Sequence, residues 1–379
     1  MKKAISITLF SILGLFIAFV LMFAVIFSIS PDHSEAVAAI KKVEGAGAGT
    51  ERYYLDEDGY YTFVRKADTE FKILQLTDIH FGGGVASMKE DDQVIAATAK
   101  MVDAVKPDLI VLTGDITFSE FFRAMNLNNM HAARTIGSAV DALGVPWTIS
   151  FGNHDTEDYQ YGNEAKIIDI YLNEFENCVF THPDKDLYGR SNHAIRILNS
   201  DGTLDQVIMM IDSNDYENGM SLMGYDYIHP EQIQWYKDTV TRISEECHYD
   251  GIAPSLAYFH IPLTEYRTAW DLYEQNSDLV VYNFGAKNEK ICPPKDSEKD
   301  TFFEEMVEFG SLKETFCGHE HKNNFSITYR GITLTYGLSM DYLAYKDIDK
   351  TDEFRGGTLV KLTTNGNHTT EQVHYASIK

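Results

Sequence analysis

Apolar positions fall into contrasting regimes along the chain. Residues 4–30 run AISITLFSILGLFIAFVLMFAVIFSIS, 27 residues without a charge. As a helix this run is about 40 Å long, enough to cross a hydrocarbon core with some tilt. Lys2 and Lys3 precede it, and Asp32 and Glu35 follow it. The positive-inside rule therefore predicts a signal-anchor over residues 1–30, with everything after Ser30 on the outer side of the membrane. The competing reading is a cleaved signal peptide ending near Ala36-Val37-Ala38, which would make the protein secreted. Against it, an h-region is usually about 7–15 residues, and this triplet lies beyond two acidic residues.

Residues 31–50 are small and polar and end in GAGAG, the composition of a flexible tether. Then YYLDEDGYYTFV alternates aromatics about an Asp-Gly turn and predicts a β-hairpin, so residues 31–70 read as linker plus hairpin. From Phe71 the pattern becomes FKILQL, a helical stretch near 91–105, DLIVLT (108–113), a helical stretch near 129–143, and WTISF (147–151). Strands alternating with helices indicate βαβ units and mostly parallel pairing. HAIRIL (193–198) and QVIMMID (206–212) flank an Asn-Ser-Asp-Gly turn and read as a second hairpin. A helix near 231–245, SLAYF (255–259), a long loop over 261–300, a helix at 301–309 and ETFC (314–317) follow, then NFSITY, ITLTYG and GTLVKL. The count fits an α/β fold with two sheets, each covered by helices.

The charge balance narrows the chemistry. Asp and Glu number 57 against 32 Lys and Arg, a net charge of −25. Specific nucleic-acid binding is not expected, because phosphate backbones are held by basic clusters. Metal cations suit such a chain. Four cysteines, at 178, 247, 292 and 317, are too few for a disulfide scaffold and lack metal-binding spacing. Cys317 reads as a small apolar strand residue, with a bond to Cys292 as the alternative.

The short apolar runs end in a repeated kind of residue: Asp78 and His80, Gly114-Asp115, Gly152-Asn153-His154-Asp155, His260, and Gly318-His319 with His321. Open α/β sheets bind ligands beyond the carboxyl ends of their strands. These Asp, Asn and His side chains offer oxygen and nitrogen donors suited to divalent or trivalent metals such as Mn, Fe or Zn. The glycine before a cluster lets the backbone turn sharply. Asp-x-His alone is a weak signal; the ordered set is a strong one. Lys322, Arg190 and Arg267 are candidate sources of positive charge, Tyr159, Tyr161 and Tyr336 candidate pocket residues, and His131 the remaining histidine to watch.

In this order, D-I-H, G-D, G-N-H-D, a single His and G-H-E-H resemble the five motifs of the calcineurin-like metallophosphoesterases, from about Phe71 to Tyr336. KILQLTDIHFG, YFHIPLTEY, ICPP and FCGHEHKNNF further resemble a membrane-associated or secreted, purple-acid-phosphatase-like subgroup. The resemblance implies a four-layer sandwich of two mixed sheets, with a catalytic domain over 71–340 and strands over 341–379 completing it. It implies two metal ions: Asp78, His80 and His321 on the first, Asn153, His260 and His319 on the second, and Asp115 bridging both. It implies phosphoester hydrolysis by a metal-bridging hydroxide, with His154 as general acid and Asp155 orienting it. His80 and Phe118 stand where purple enzymes carry Gly and Tyr, so no tyrosinate colour is expected. Phosphomonoesters are favoured over diesters and nucleotides. The alternative from a different class is a non-catalytic, metal-binding cell-surface protein.

Overall fold

The computed structural model describes residues 2–378 apart from 182–185, 220, 296–297, 346–347, 349–352 and 364–365. In chain order the elements are α1 (Lys2–Ser28), α2 (Ser34–Ala39), β1 (Thr50–Leu55), β2 (Tyr61–Arg65), β3 (Phe71–Leu76), α3 (Met88–Val105), β4 (Leu109–Thr113), α4 (Asn129–Asp141), β5 (Trp147–Ser150) and α5 (Glu164–Asn173). Then come β6 (His193–Leu198), β7 (Leu204–Met210), α6 (Pro230–Glu246), β8 (Ser255–Tyr258), α7 (Thr264–Glu274), β9 (Val280–Phe284), α8 (Phe302–Phe309), β10 (Leu312–Cys317), β11 (Ser326–Tyr329), β12 (Ile332–Tyr336), β13 (Gly356–Leu362) and β14 (His368–His374).

Two mixed sheets result. One has five strands in the order β14-β13-β3-β4-β5; the other has nine, in the order β1-β2-β6-β7-β8-β10-β12-β11-β9. In β3 and β4 both faces are buried, which is why these strands read as continuous apolar runs. Phe71, Ile73, Leu109 and Val111 pack with Ile208, Leu256 and Phe316 between the sheets. Leu74, Leu76, Ile110 and Leu112 point the other way, onto a core with Val94, Met101, Ile136 and Ile167 of α3, α4 and α5. On the far side Tyr236, Tyr266, Trp270 and Phe303 of α6, α7 and α8 cover the nine-stranded sheet. The layers run helix, sheet, sheet, helix. Strands β3, β4 and β5 are mutually parallel, as are β7, β8, β10 and β12. Their carboxyl ends meet at one edge, where His260 Nδ1 lies 3.0 Å from the Thr113 carbonyl oxygen.

Two expectations need correction, and a third finds no support. Residues 31–50 are not a free tether: they carry α2, Ala36, Val37 and Ile40 pack on the core, and His33 is buried with Nδ1 2.9 Å from Asp92 Oδ1. The small residues there allow close docking as readily as flexibility. The stretch 261–300 is not one long loop, since it holds α7 and β9; Tyr266, Ala269, Trp270 and Tyr273 carry the helical spacing that predicts α7. The membrane-spanning expectation for residues 1–30 is not supported, because among the described residues no helix is long and apolar enough to cross a membrane. Both sheets also recruit strands outside 71–340: β1 and β2 before it, β13 and β14 after it.

Candidate active site

Each ligand-type residue follows the carboxyl end of a strand, and the backbone there is held in uncommon conformations. Asp78, His80, Asp115 and His319 all have positive φ, at 52°, 51°, 47° and 77°. Such non-glycine conformations cost about 1–3 kcal/mol each and persist where the surroundings over-determine them. Here the Asp78 N–H donates to the Gly114 carbonyl (3.2 Å) and the His80 N–H to the Asp115 carbonyl (2.9 Å). Gly114 (φ 75°) has no room for a side chain, since a Cβ would sit 2.6 Å from the His260 ring. A Cβ on Gly318 would lie 2.0 Å from Thr77 Oγ1 and 2.7 Å from Asp78 Oδ2. These glycines let two turns close onto the ligand residues.

The donor atoms gather into overlapping groups. Asp78, His80 and His321 form one, Asp115, His260 and His319 a second, and His80, Asp115 and His154 a third; within each, the atoms lie within 4.8 Å of one another. Asp115 Oδ2 is 3.4 Å from His80 Nε2 and 3.1 Å from His260 Nε2, so one carboxylate faces both of the first two groups. His321 Nε2 is 3.4 Å from Asp78 Oδ1. Asn153 is 1% exposed; its Nδ2 donates to the Tyr216 hydroxyl (3.1 Å), while its Oδ1 is buried without a hydrogen-bond partner. An orphaned buried acceptor is costly unless something outside the protein satisfies it. That oxygen, with the carboxylate and imidazole donors around it, fits metal ions.

Charge in this nest is mutually regulated. Burial pushes the Asp115 carboxyl up, but His260 and His154 outweigh it and hold it well below the usual range. Burial opposes protonation of His260, yet Asp115 raises it to about 9. Burial and the neighbouring His260 push His319 down to about 3. For His154 burial again opposes charge, and Asp115 with Glu157 shifts it upward.

Around the ligand residues stand supports that the sequence motifs did not identify. Asp341 Oδ2 lies 3.1 Å from His321 Nδ1, and Asp341 also accepts the N–H groups of Leu343, Ala344 and Tyr345. Tyr216 holds Asn153. Glu157 Oε1 contacts His154 Nδ1. Asp155, expected to orient His154, does not: its carboxylate accepts from the Thr117 N–H (2.8 Å), Thr117 Oγ1 (3.2 Å) and the Gly152 N–H (2.9 Å), and so ties two motif turns together. In this turn the residue three positions on reaches the imidazole, while the adjacent side chain points into the protein. An acidic residue three positions after His154 was the available signal for Glu157; nothing local marks Asp341 or Tyr216.

Phe118 packs edge-on against the rings of both His80 (5.0 Å) and His154 (4.8 Å). A cleft of about 290 Å³ opens over the ligand groups, and its non-ligand cations are Arg123 and Lys290. Arg190 instead faces Glu164 in a neighbouring acidic cavity. Tyr336 is buried with its hydroxyl on Glu320, whereas Tyr159 and Tyr161 are exposed. Cys292 and Cys317 are both free thiols. His131 lies on α4, away from the cluster.

The chain is similar to several known proteins. Over 302 residues the chain is 30% identical to "Probable inactive purple acid phosphatase 29" of Arabidopsis thaliana, covering 73% of each chain. Over 329 residues it is 26% identical to "Phosphatase DCR2" of Saccharomyces cerevisiae, covering 76% of this chain and 53% of that one. A dimetal phosphatase structure from Danio rerio superposes with a TM-score of 0.48 at 13% identity, covering 80% of this chain and 99% of that one. The sequence profile of the calcineurin-like phosphoesterases matches residues 71–323, the span that carries every candidate ligand residue described above, and the chain belongs to that family.

Proposed function

We propose that the protein hydrolyses phosphoesters at a two-ion centre, with phosphomonoesters as the preferred substrates. The observation that carries this reading is Asp115, one carboxylate facing His80 on one side and His260 on the other. Asp78, His80 and His321 would hold the first ion, Asn153, His260 and His319 the second. Bound there, a pair of ions such as Mn, Fe or Zn supplies charge neutralisation for a phosphoryl group and acidifies water. His154 is the general acid, delivering a proton from its ring to the departing alkoxide. Glu157 keeps that ring oriented and favours its charged form. Phe118 walls the acid from one side. Asp341 and the Thr113 carbonyl fix the far nitrogens of His321 and His260, so that the facing nitrogens are presented to the ions.

The alternative is a non-catalytic metal-binding protein of the cell surface, and three relatives bear the word inactive in their names. Asp78, His80, Asp115, Asn153, His154, His260, His319 and His321 are all present, which favours catalysis. The uncharged run over residues 4–30 supports a second proposal, that the N-terminus anchors the chain in a membrane with the catalytic domain outside, or directs its secretion if cleaved.

The test is activity on an alkyl and an activated aryl phosphate, with metal content measured on the same samples. Chelation should abolish hydrolysis, and Mn²⁺ or a similar ion should restore it. His154→Ala should retain both ions and lose roughly 10²–10⁴-fold on the alkyl ester, with a much smaller loss on the aryl ester. Loss of an ion in that variant would make His154 a ligand, as its nearness to His80 and Asp115 also allows. Absence of hydrolysis with a full complement of ions would favour the non-catalytic reading.

A further inference from the structure

Arg123 lines the cleft over the ligand groups together with His80, Asp115 and His154. Its Nη1 donates to the Leu343 carbonyl at 3.2 Å. Among the described residues no carboxylate pairs with this guanidinium, although the chain carries 57 acidic groups. The backbone beneath it is firmly set. Glu120 Oε2 accepts the N–H groups of Phe122 (2.8 Å) and Arg123 (2.7 Å). Ala124 is fully buried, and buried Asn126 donates through Nδ2 to the Gly82 carbonyl (2.9 Å) and Ser119 Oγ (3.2 Å). This loop turns Phe122 out to solvent, 83% exposed, and sets Arg123 at the cleft.

Resting on the hydrolytic reading above, we propose that Arg123 binds the non-bridging phosphoryl oxygens of the substrate and makes the site select dianionic monoesters over monoanionic diesters. A guanidinium has five donors in a planar fork that matches phosphate oxygens two at a time. A monoester offers three non-bridging oxygens and nearly two charges at neutral pH; a diester offers two oxygens and one charge. In a diester the second esterified group would replace an oxygen that the fork engages. The single bond to Leu343 preorganises the side chain and leaves other donors to face the cleft.

The test uses the full-length, metal-loaded protein with Arg123→Gln and Arg123→Lys, and inorganic phosphate as the binding probe. Arg123→Gln should weaken phosphate binding, and lower kcat/KM on nitrophenyl phosphate mainly through KM, by roughly 10–100-fold each, while bis(nitrophenyl) phosphate changes by less than about threefold. Arg123→Lys should recover part of the phosphate affinity, because it keeps the charge and loses the fork. Metal content should not change in either variant. Unchanged phosphate affinity, equal losses on both esters, or loss of an ion would overturn the assignment. A wild-type protein that hydrolyses neither ester, yet loses phosphate affinity on Arg123→Gln, would overturn the hydrolytic reading and leave the phosphate contact standing.

Discussion

Glu157 Oε1 lies against His154 Nδ1, three residues along the same turn, while the adjacent Asp155 turns away to hold Thr117 and Gly152. The two acidic neighbours of one histidine thus have separable duties. Glu157→Gln keeps the shape and removes the charge. It should slow alkyl-ester hydrolysis on the order of tenfold or more, with little effect on an aryl ester. A general acid must be protonated, so its rate falls as pH rises through its pKa. Loss of the Glu157 charge lowers that pKa, and the alkaline limb of the pH profile should move to lower pH. Asp155→Asn should leave the alkyl-to-aryl ratio alone and instead cost about 1–3 kcal/mol of stability, because an amide then meets buried N–H donors. If Asp155→Asn changed the ratio and Glu157→Gln did not, the roles would be reversed.

Metal uptake should release protons. In the metal-free protein His260 is raised to about 9, so at neutral pH its ring is charged and must lose a proton before it can coordinate. Apparent affinity should therefore weaken as pH falls below 9. Calorimetry of Mn²⁺ binding in two buffers of different ionisation enthalpy measures this directly; a proton count near zero at pH 7 would contradict it.

Tyr216→Phe removes the hydroxyl that accepts from Asn153 Nδ2. The amide is then free to rotate its oxygen away from the cluster. Partners of this kind are worth about 10–100-fold in metal affinity. The expected result is weaker binding of one ion and unaltered binding of the other, read by titration with metal analysis. Equal weakening of both ions would point to a general loss of fold.

For the N-terminus, the anchor proposal expects the chain to sediment with membranes and to resist extraction by salt. N-terminal sequencing of the mature protein decides between the two forms. A start near Ala39 would mean cleavage and secretion.

The sequence by itself placed the candidate ligand residues at strand ends, because each follows a short apolar run and a strand of that kind ends where its apolar run ends. FKILQL, WTISF and SLAYF coincide with β3, β5 and β8 to within a residue, since strands buried on both faces are mostly apolar along their whole length. Their order then implied one shared edge, and the parallel register brings Asp78, Asp115, Asn153, His260 and His321 there. What only the tertiary structure decided lies in the loops. Asp341 meets His321 across 20 residues and Tyr216 meets Asn153 across 63, through segments with no period to read. Whether Asp155 or Glu157 reaches the His154 ring depends on the direction in which one turn throws its side chains, and Arg123 reaches the cleft because Glu120, Ala124 and Asn126 fix the loop that carries it. Periodicity reports which face of an element is buried; it holds no information on where an irregular segment goes, because that is set by hydrogen bonds to distant partners.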